Sequence, residues 1–431
     1  MKRYSEYKNS GIRWIGEIPA NWDVVKLKRI CRIKRGASPR PIDDPIYFDD
    51  NGERYWVRIA DVTRSNKYLV ECEQKLSPLG IENSVKIDEG DLFISICASV
   101  GKPCISQVKA CIHDGFVLLD RLPTPYKNYI YYIFVLELPC HGLGKIGTQL
   151  NLNSETIGNI DIPLHDNIEP ICAYLDRRIT KIDELLADLQ SQADLLDRYK
   201  RELIADTVTH GLNKTVPCKN SGTDWIGDIP THWDVVPLRA FLKIVSTKNN
   251  VELPLLSVER EKGVVDRETE GSESNHNHIP DDLSNYKVVK AGQFVMNKMK
   301  AWRGSYGVSP YDGIVSPAYY VFNLNFPNSS FFNYAIRSSK YVGFFGRDSY
   351  GIRTDQWDFK VEKIKDIPFA VPPVTEQQMI VEYLDNKIPL IESLIADINK
   401  QIEKLKQYRQ IVIHDAVTGK IKVKEKQDNG N

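Results

Sequence analysis

The chain has 431 residues, and its 57 basic side chains balance 57 acidic ones, so its formal net charge at neutral pH is zero. This length suits two or three domains, and a hydrophobic content of 42% is enough to fill their cores. A protein that is basic throughout is excluded, so any surface for nucleic acid must be a local concentration of charge. No apolar run approaches the ~20 residues of a membrane-spanning helix.

The eight cysteines include no C-x-x-C pair, and zinc sites need clustered ligands. Cys97, Cys104 and Cys111 are spaced by seven, but in a strand-like stretch this spacing puts neighbouring cysteines on opposite faces. We therefore predict reduced thiols, no metal site and, because no signal peptide is recognisable, a cytoplasmic location.

The first element in the chain is a turn-rich leading segment that occurs twice. The sequence YKNSGIRWIGEIPANWDVVKL at Tyr7–Leu27 returns as CKNSGTDWIGDIPTHWDVVPL at Cys218–Leu238. Proline and glycine favour turns, and the tryptophans are suited to anchor each segment. We expect the repeated identity to be structural rather than catalytic.

Each leading segment is followed by a stretch of mixed α and β character that differs between the two halves. In the first half, Tyr55–Val62, Asp91–Gly101 and Gly115–Leu122 have the β-branched and aromatic content of strands. A helix rich in aromatic residues is predicted at Tyr126–Leu138. Basic side chains concentrate in the segment Lys26–Arg40. Such residues can neutralise phosphates, although a solvated charged surface is the simpler alternative.

A long helix is predicted next, because apolar residues between Tyr174 and Leu212 recur at alternating steps of four and three. This heptad pattern places an apolar stripe along one side of a helix. The pattern returns without a gap at Tyr383–Ile421, at an offset of 209 residues from Tyr174. The predicted seam residues are Leu175, Ile179, Ile182, Leu186, Leu189 and Leu196 in the first copy, and Leu384, Ile388, Ile391, Ile395, Ile398, Ile402 and Leu405 in the second.

A single helix of this kind needs a partner for its stripe, and the simplest partner for each copy is the other copy. We therefore predict two long helices that pack together. Ordinary helices inside one globular bundle carry similar apolar stripes, so that alternative remains open at this point. The duplication favours the paired helices.

The second variable stretch repeats the order of elements with different residues. Gly292–Met299 and Ala318–Leu324 are predicted strands, and Ser329–Gly346 is the matching helix. The segment Lys298–Gly307 combines lysine, arginine and aromatic side chains. On loops, side chains of these types can contact phosphates and base edges.

No catalytic motif accompanies these elements. The sequence contains neither G-x-x-x-x-G-K-[ST] nor H-E-x-x-H, and no nucleophile, base and orienting group occur in a recognisable pattern. The residues therefore favour binding over catalysis.

In this order, and twice over, the features resemble the specificity subunit of type I restriction–modification systems. The resemblance rests on the repeated W-I-G-x-I-P-x-x-W-D-V-V of the leading segment, the Ile-Pro pair that closes each variable stretch, and the repeated helix that begins Y-L-D. GASPRP, YWVRIADV and GIVSPAYYV also resemble segments of that family's target recognition domains. A P-x-x-x-Q run, Pro373–Gln377, precedes the second helix but has no counterpart before the first.

The resemblance implies an α+β protein with two mixed α/β target recognition domains. Each is followed by a long helix, and the two helices pack as an antiparallel coiled coil with pseudo-two-fold symmetry. The expected divisions are residues 1–165 for the leading segment and first recognition domain, 166–212 for the first helix, 213–372 for the linker, repeated leading segment and second recognition domain, 373–421 for the second helix, and 422–431 for a polar tail.

In that family each recognition domain binds one half of a bipartite DNA site, and the coiled coil sets the gap between the halves. The subunit is not itself an enzyme. It docks two modification subunits, which bind S-adenosylmethionine and methylate adenine, and restriction subunits, which use ATP and magnesium to cleave DNA. The resemblance thus implies double-stranded DNA and these subunits as partners, no cofactor in this chain, and no membrane.

The side chains expected to face DNA lie on the matching loops: Lys34, Arg35, Ser38, Arg40, Arg58 and Arg64 in the first domain, and Lys248, Lys298, Lys300, Trp302, Arg303, Ser305 and Tyr306 in the second. Two alternatives remain. A coiled-coil adaptor that presents two protein-binding domains would not bind DNA, and a nuclease or self-sufficient methyltransferase would act without a partner.

Overall fold

The computed structural model describes residues 3–97, 100–141, 143, 152–248, 250, 252–267, 279, 282–350 and 357–423. The chain divides into two compact units. The first unit comprises residues 1–188 and 401–431, and the second comprises residues 189–400. Each unit therefore contains one leading segment, one variable stretch and parts of both long helices.

The strands described in the first unit are β1 (Tyr7–Asn9), β2 (Glu17–Pro19), β3 (Asp23–Lys26), β4 (Arg32–Arg35), β5 (Arg54–Val57), β6 (Tyr68–Leu69), β7 (Gln74–Leu76), β8 (Val85–Ile87), β9 (Leu92–Ser95), β10 (Pro103–Ser106), β11 (Ala110–Ile112), β12 (Phe116–Asp120) and β13 (Asp161–Leu164). The helices are α1 (Ile59–Arg64), α2 (Pro78–Glu82), α3 (Thr124–Val135), α4 (Ser154–Gly158) and the long α5 (Glu169–His210). Two sheets form its variable domain, which is the expected recognition domain, in the orders β4-β12-β9-β10-β6 and β7-β5-β11-β8.

The five-stranded sheet is covered on both faces, which explains why its central strand β9 is apolar along most of its length. Successive side chains of a strand point to opposite faces. Leu92 and Ile94 accordingly belong to the core that contains α3 and the long helices. Phe93 points the other way and packs in the core between the two sheets.

The strands described in the second unit are β14 (Cys218–Asn220), β15 (Asp228–Pro230), β16 (Asp234–Pro237), β17 (Leu242–Val245), β18 (Leu256–Glu259), β19 (Gly263–Asp266), β20 (Lys287–Val289), β21 (Phe294–Asn297), β22 (Tyr306–Val308), β23 (Gly313–Val315), β24 (Tyr319–Leu324), β25 (Ser349–Tyr350), β26 (Asp358–Phe359) and β27 (Pro368–Val371). The helices are α6 (Ser329–Arg337), α7 (Ser339–Arg347) and the long α8 (Val374–Val417). The sheet order β17-β24-β21-β22 matches β4-β12-β9-β10 of the first unit.

The two most recognisable repeated motifs are partners in the same ladder. The D-V-V strand β3 of the leading segment pairs antiparallel with the closing strand β13, so that Val24 lies opposite Pro163. In the second unit β16 pairs antiparallel with β27 in the same way, with Val236 opposite Phe369. The pairing of the leading segment with the Ile-Pro strand therefore holds the start and the end of each recognition domain together.

The long helices run antiparallel within each unit, as predicted. In the first unit, the guanidinium of Arg409 on α8 donates to the Asp183 carboxylate on α5, with Nε 2.7 Å from Oδ1. In the second unit, Lys200 Nζ on α5 lies 3.2 Å from Glu392 Oε1 on α8. Both pairs join the same two positions of the repeat, since Arg409 follows Lys200, and Glu392 follows Asp183, at the offset of 209. The predicted seam residues are all buried or half-buried, as expected for an apolar stripe that packs against a partner.

The tryptophan of each leading segment packs against the end of a long helix. Gly419 follows α8 with a left-handed φ of +69°, and an added Cβ there would lie 3.1 Å from the Trp22 ring. Gly211 follows α5 with the same φ and would place a Cβ 3.2 Å from Trp233. Glycine suits these positions because it adopts positive φ and leaves room for the indole. Within the described ranges, every helix is too short or too polar to cross a lipid bilayer.

Candidate nucleic-acid interface

One edge of the first recognition domain gathers loops that are far apart in the sequence. β4 pairs with β12 so that Arg35 lies opposite Val117, and the parallel pair β5–β11 places Val57 beside Ile112. The residues that follow β4 and β5 therefore lie near the turn 113–115 between β11 and β12. We call this edge, with Arg35, Ser38, Arg40, Arg58 and the turn 113–115, the first recognition edge.

Asp114 accepts hydrogen bonds from three side chains of this edge. Its Oδ1 accepts a hydrogen bond from Ser38 Oγ at 2.8 Å, and its Oδ2 accepts one from an Arg40 guanidinium nitrogen at 3.2 Å. Arg35 Nε donates to the backbone carbonyl of Asp114 at 3.1 Å. The hydrogen bond from Ser38 and the charge of Arg40 lower the pKa of the Asp114 carboxyl. Three side chains predicted to face DNA are thus held by a residue that the sequence did not single out.

The turn that presents Asp114 is anchored by the partly buried ring of His113. This ring lies 4.7 Å from the Phe116 ring and 5.9 Å from the Trp56 ring, measured between centroids. Its Nδ1 accepts the Gly115 N–H at 2.9 Å. Burial lowers the pKa of His113, while Asp114 raises it and Arg58 lowers it further. Burial and the internal hydrogen bond therefore leave the turn little freedom.

The other two residues proposed for this domain are less closely tied to the edge. Lys34 lies on β4 opposite Leu118, with an exposed side chain. Arg64 ends α1 and pairs with Asp61 at 2.5 Å and Glu73 at 2.8 Å. Both of these carboxylates belong to the recognition domain, so Arg64 has a structural role that the sequence did not indicate.

The basic run of the first domain does not form a single patch. Arg32 begins β4 and lies opposite Asp120, whereas Arg35 ends the strand at the recognition edge. Arg32 lines a separate cavity of about 620 Å³ with Lys28, Arg29 and Arg121. The strand direction thus sends one basic cluster of the sequence to two ends of the sheet.

Lysines gather at the comparable edge of the second unit. Lys248 follows β17, Lys287 opens β20 and Lys298 follows β21. Val288 N–H donates to Thr247 O at 2.8 Å, which brings Lys248 close to Lys287, and Lys287 Nζ and Lys298 N–H donate to the neighbouring carbonyls of Tyr319 and Ala318. Burial lowers the pKa of Lys287, and the charges of the other two lysines lower it further. Lys298 also pairs with Asp358 at 3.1 Å. We call these three lysines the second recognition edge. Lys287 was missed because a lone lysine before a short strand carries no signal until the strand order is known.

The remaining candidates of the second domain are divided between surface and core. Trp302 packs 5.1 Å from Trp357, and the exposed Arg303 guanidinium lies 4.3 Å from the Trp302 ring centre. Lys300 precedes the same short 3-10 helix, Ala301–Arg303, and is exposed.

The expectation that Ser305 and Tyr306 face DNA is wrong, because both side chains are buried. Tyr306 opens β22 with its ring turned into the core, 4.4 Å from the Phe345 ring and 5.9 Å from the Phe294 ring. The sequence could not exclude these residues because the face of a strand that meets the core depends on the sheet.

Each recognition domain is fixed to a long helix by the aspartate of the repeated Y-L-D. Tyr132 Oη on α3 donates to Asp176 at 2.6 Å, and Tyr334 Oη on α6 donates to Asp385 at 2.7 Å. In the first unit, Lys67 Nζ also contacts Asp176 at 2.5 Å. The motif therefore has a positioning role in both units. Among the described residues, no group of three histidines, cysteines or acids is arranged to hold a metal ion.

The chain is similar to known proteins in sequence and in fold. Residues 19–182 match the family model described as the type I restriction modification DNA specificity domain. The chain is 23% identical over 444 residues to a protein of Methanocaldococcus jannaschii assigned as the type I restriction enzyme MjaX specificity subunit, covering 95% of this chain and 96% of that protein. It is 21% identical over 430 residues to the MjaVIII specificity subunit of the same organism, covering 94% of each.

A solved chain from a study of complex assembly and conformational transition of the type I R-M system has the same fold. Its TM-score is 0.61 at 15% identity, and the alignment covers 94% of this chain and 99% of that one. The match of the family model, the two relatives aligned over almost their whole length and the repeated architecture agree. Over almost its whole length the chain is therefore similar to the specificity subunits of type I restriction enzymes, and residues 19–182 match the DNA specificity domain of these systems.

Proposed function

We propose that this chain directs a type I restriction–modification complex to a bipartite DNA site. Each recognition domain recognises one half-site, and the paired long helices set the gap between them. The chain itself binds no cofactor. Its modification subunits bind S-adenosylmethionine and methylate one adenine in each half-site, and its restriction subunits use ATP and magnesium to cleave DNA. The complex acts on DNA in the cytoplasm.

The observation that carries the proposal is the equivalence of the two recognition edges. Sheets with the same strand order present basic side chains at the ends of corresponding strands: Arg35 ends β4 and Arg40 follows it, and Lys248 follows β17. The side chains differ although their places in the fold agree. This is the arrangement expected of two domains that bind the same polymer but recognise different sequences.

Two linked domains also make physical sense for DNA specificity. A good bidentate contact with a base contributes only about 1–3 kcal/mol of discrimination. Two domains on a stiff connection add their binding energies when both half-sites lie at the separation that the connection allows. A fixed gap therefore increases specificity without a larger recognition surface in either domain.

Exposed apolar residues on the long helices suit two copies of one partner. Leu185 on α5 and Leu394 on α8 occupy the same position of the repeat, and both are largely exposed. Tyr199 and Tyr408 form a second equivalent pair of exposed residues. Because each helix offers the same outward side chains, we assign these positions to the two modification subunits. Exposed apolar patches of this kind commonly mark interaction sites.

The function is tested by mapping methylated adenine across the genome of a host that expresses this chain with its cognate modification subunit. We expect a split motif, with two short constant blocks around a fixed gap, methylated in both blocks. A stable complex that adds no methylation would contradict the proposal. An absence of DNA binding at any salt concentration would favour the coiled-coil adaptor, because phosphate contacts make affinity fall steeply with salt.

The docking surface has its own test. The double variant Leu185→Asp, Leu394→Asp should lose association with the modification subunit in size-exclusion chromatography. Ser393→Asp adds one of these two charges at an exposed position beside Leu394 and should retain the association. Equal association of both variants would exclude the leucine positions as the docking surface.

A further inference from the structure

Asp114 is an acid at an edge that otherwise presents Arg35, Arg40 and Arg58. A carboxylate repels DNA phosphates, so it opposes the electrostatic part of DNA binding. Its side chain is nevertheless 39% exposed and lies within the edge rather than beside it. An acid in this place needs a role other than attraction of the DNA backbone.

The hydrogen bonds of Asp114 indicate that role. One carboxylate oxygen is bonded to Ser38 and the other to Arg40, so the acid fixes two side chains of the loop that follows β4. The Arg40 side chain is 72% exposed and has one guanidinium nitrogen in this contact. The other N–H groups of its planar fork remain available to a ligand.

The backbone beneath this contact is rigid. An added Cβ on Gly36 would lie 2.0 Å from the His113 carbonyl oxygen, so the loop after β4 packs directly on the turn. Gly36 N–H donates to Phe116 O at 2.9 Å, and Ala37 N–H donates to Ile112 O at 3.2 Å. A recognition side chain held on such a support loses less conformational freedom when it binds.

Arginine contacts guanine more often than any other base, because its fork matches the O6 and N7 acceptors in the major groove. We propose that Asp114 is a positioning residue that holds Arg40 for contact with guanine, so that the first recognition domain requires a G·C pair at one position of its half-site. This inference rests on the proposed function. The corresponding turn of the second unit, Ser316–Ala318, contains no acid, so the effect is confined to one half-site.

The experiment uses the full-length chain with its cognate modification subunit and genome-wide mapping of methylated adenine. The variants are Asp114→Asn, which removes the charge but keeps the shape, and Arg40→Lys, which keeps the charge but removes the fork. The matched control is Asp88→Asn. Asp88 also pairs with an arginine, Arg54 at 2.8 Å, but it follows β8 at the opposite end of the β8–β11 pair from His113.

Asp114→Asn and Arg40→Lys should each relax the same G·C position of one half-site. Methylation at sites that differ only there should rise about tenfold to one hundredfold relative to the preferred site, as expected for loss of one bidentate contact. The other half-site and the gap should not change, and Asp88→Asn should give the wild-type motif. Lys298→Ala identifies the half-site of the second unit, which must be the one that Asp114→Asn leaves intact.

An unchanged motif in both variants would overturn the inference, as would relaxation at a position that is not G·C. Equal weakening of both half-sites by Arg40→Lys would also overturn it, because Arg40 would then support assembly of the complex rather than recognition of one half-site. Arg40 is exposed, so Arg40→Lys decides the question even if Asp114→Asn fails to fold. A wild-type complex without a split motif would contradict the proposed function instead, which keeps the two failures distinguishable.

Discussion

At the scale of single residues, His113 links the stability of the first recognition edge to pH. Burial lowers the pKa of its ring below the ordinary value of 6.5, with Arg58 in the same direction and Asp114 opposed. The unfolded chain therefore takes up a proton at a higher pH than the folded chain. Stability from the neutral ring is present above about pH 6.5 and decreases as the pH falls toward the lower pKa of the folded state.

We expect His113→Gln to reduce this pH dependence. Between about pH 7.5 and about pH 5.5, the wild-type free energy of unfolding should fall by more than that of the variant. Urea denaturation of both proteins at the two pH values measures the difference. Identical pH dependence would mean that the ring is not buried in its neutral form.

Tyr306 provides a second residue-scale prediction, with Tyr129 as its matched control. Tyr306 Oη is buried and has no hydrogen-bond partner in the part of the chain that the structure describes. Tyr129 Oη, also buried, lies 2.8 Å from Pro163 O and 2.7 Å from Val417 O, so its one O–H is shared between two acceptors. Tyr306→Phe should raise the free energy of unfolding by about 1 kcal/mol, and Tyr129→Phe should lower it by about 1 kcal/mol.

Thermal and urea denaturation of these two variants measure both changes, and methylation mapping should show that Tyr306→Phe keeps the wild-type motif. A changed base preference in the second half-site of the Tyr306→Phe variant would indicate that Tyr306 contacts DNA. The sequence favours Tyr306 as a DNA contact because it shares a short segment with basic residues. Its burial depends on where β22 lies in the sheet, which the local sequence does not encode.

At the scale of elements, the seam and the outer surface of α8 should respond differently to the same substitution. Ile388 is 8% exposed in the seam, whereas Leu394 is 53% exposed. Ile388→Ala should lower the free energy of unfolding of the isolated chain by about 2–5 kcal/mol through lost burial and a cavity. Leu394→Ala should change it by less than about 0.5 kcal/mol. Urea denaturation without partner subunits makes the comparison, and equal losses would contradict the assigned seam.

Element boundaries show where local patterns are sufficient and where they are not. The long helices were predicted because their heptads repeat over many turns and then recur in the second half. The predicted strand Tyr55–Val62 instead ends at Val57 and continues as α1, where Asp61 accepts the Arg58 N–H at 2.8 Å. The predicted helix Ser329–Gly346 is broken at Ser338, whose ψ of 157° is extended. Each of these boundaries depends on the backbone conformation of a single residue. A prediction from the average composition of a longer segment therefore does not locate it.

At the scale of the whole molecule, the length of the helices should determine the gap between half-sites. We expect seven residues inserted after Gln192 and after Gln401, which are equivalent positions, to keep the heptad phase. Such an insertion adds about 10.5 Å to each helix at 1.5 Å per residue. The gap in the methylation motif should therefore lengthen by about three base pairs at 3.4 Å each, with both half-sites unchanged.

Insertions of four residues at the same positions serve as the control. They shift the seam out of phase and should lower the melting temperature rather than produce a defined longer gap. Methylation mapping of the seven-residue variant gives the gap directly. An unaltered gap would show that the length of the helices does not set the distance between the half-sites.

The sequence by itself determined the duplication, the two long helices with their seam, the mixed α/β character of the domains and the resemblance to type I specificity subunits. These features appear in the sequence as repeats and periodic patterns. Such patterns can be recognised without knowledge of long-range contacts. Tertiary structure alone decided that Asp114 gathers Arg35, Ser38 and Arg40, that Lys287 joins Lys248 and Lys298, and that each Y-L-D aspartate holds its recognition domain. Cross-strand pairing brings these residues together from distant segments, and no local pattern specifies which strands are neighbours.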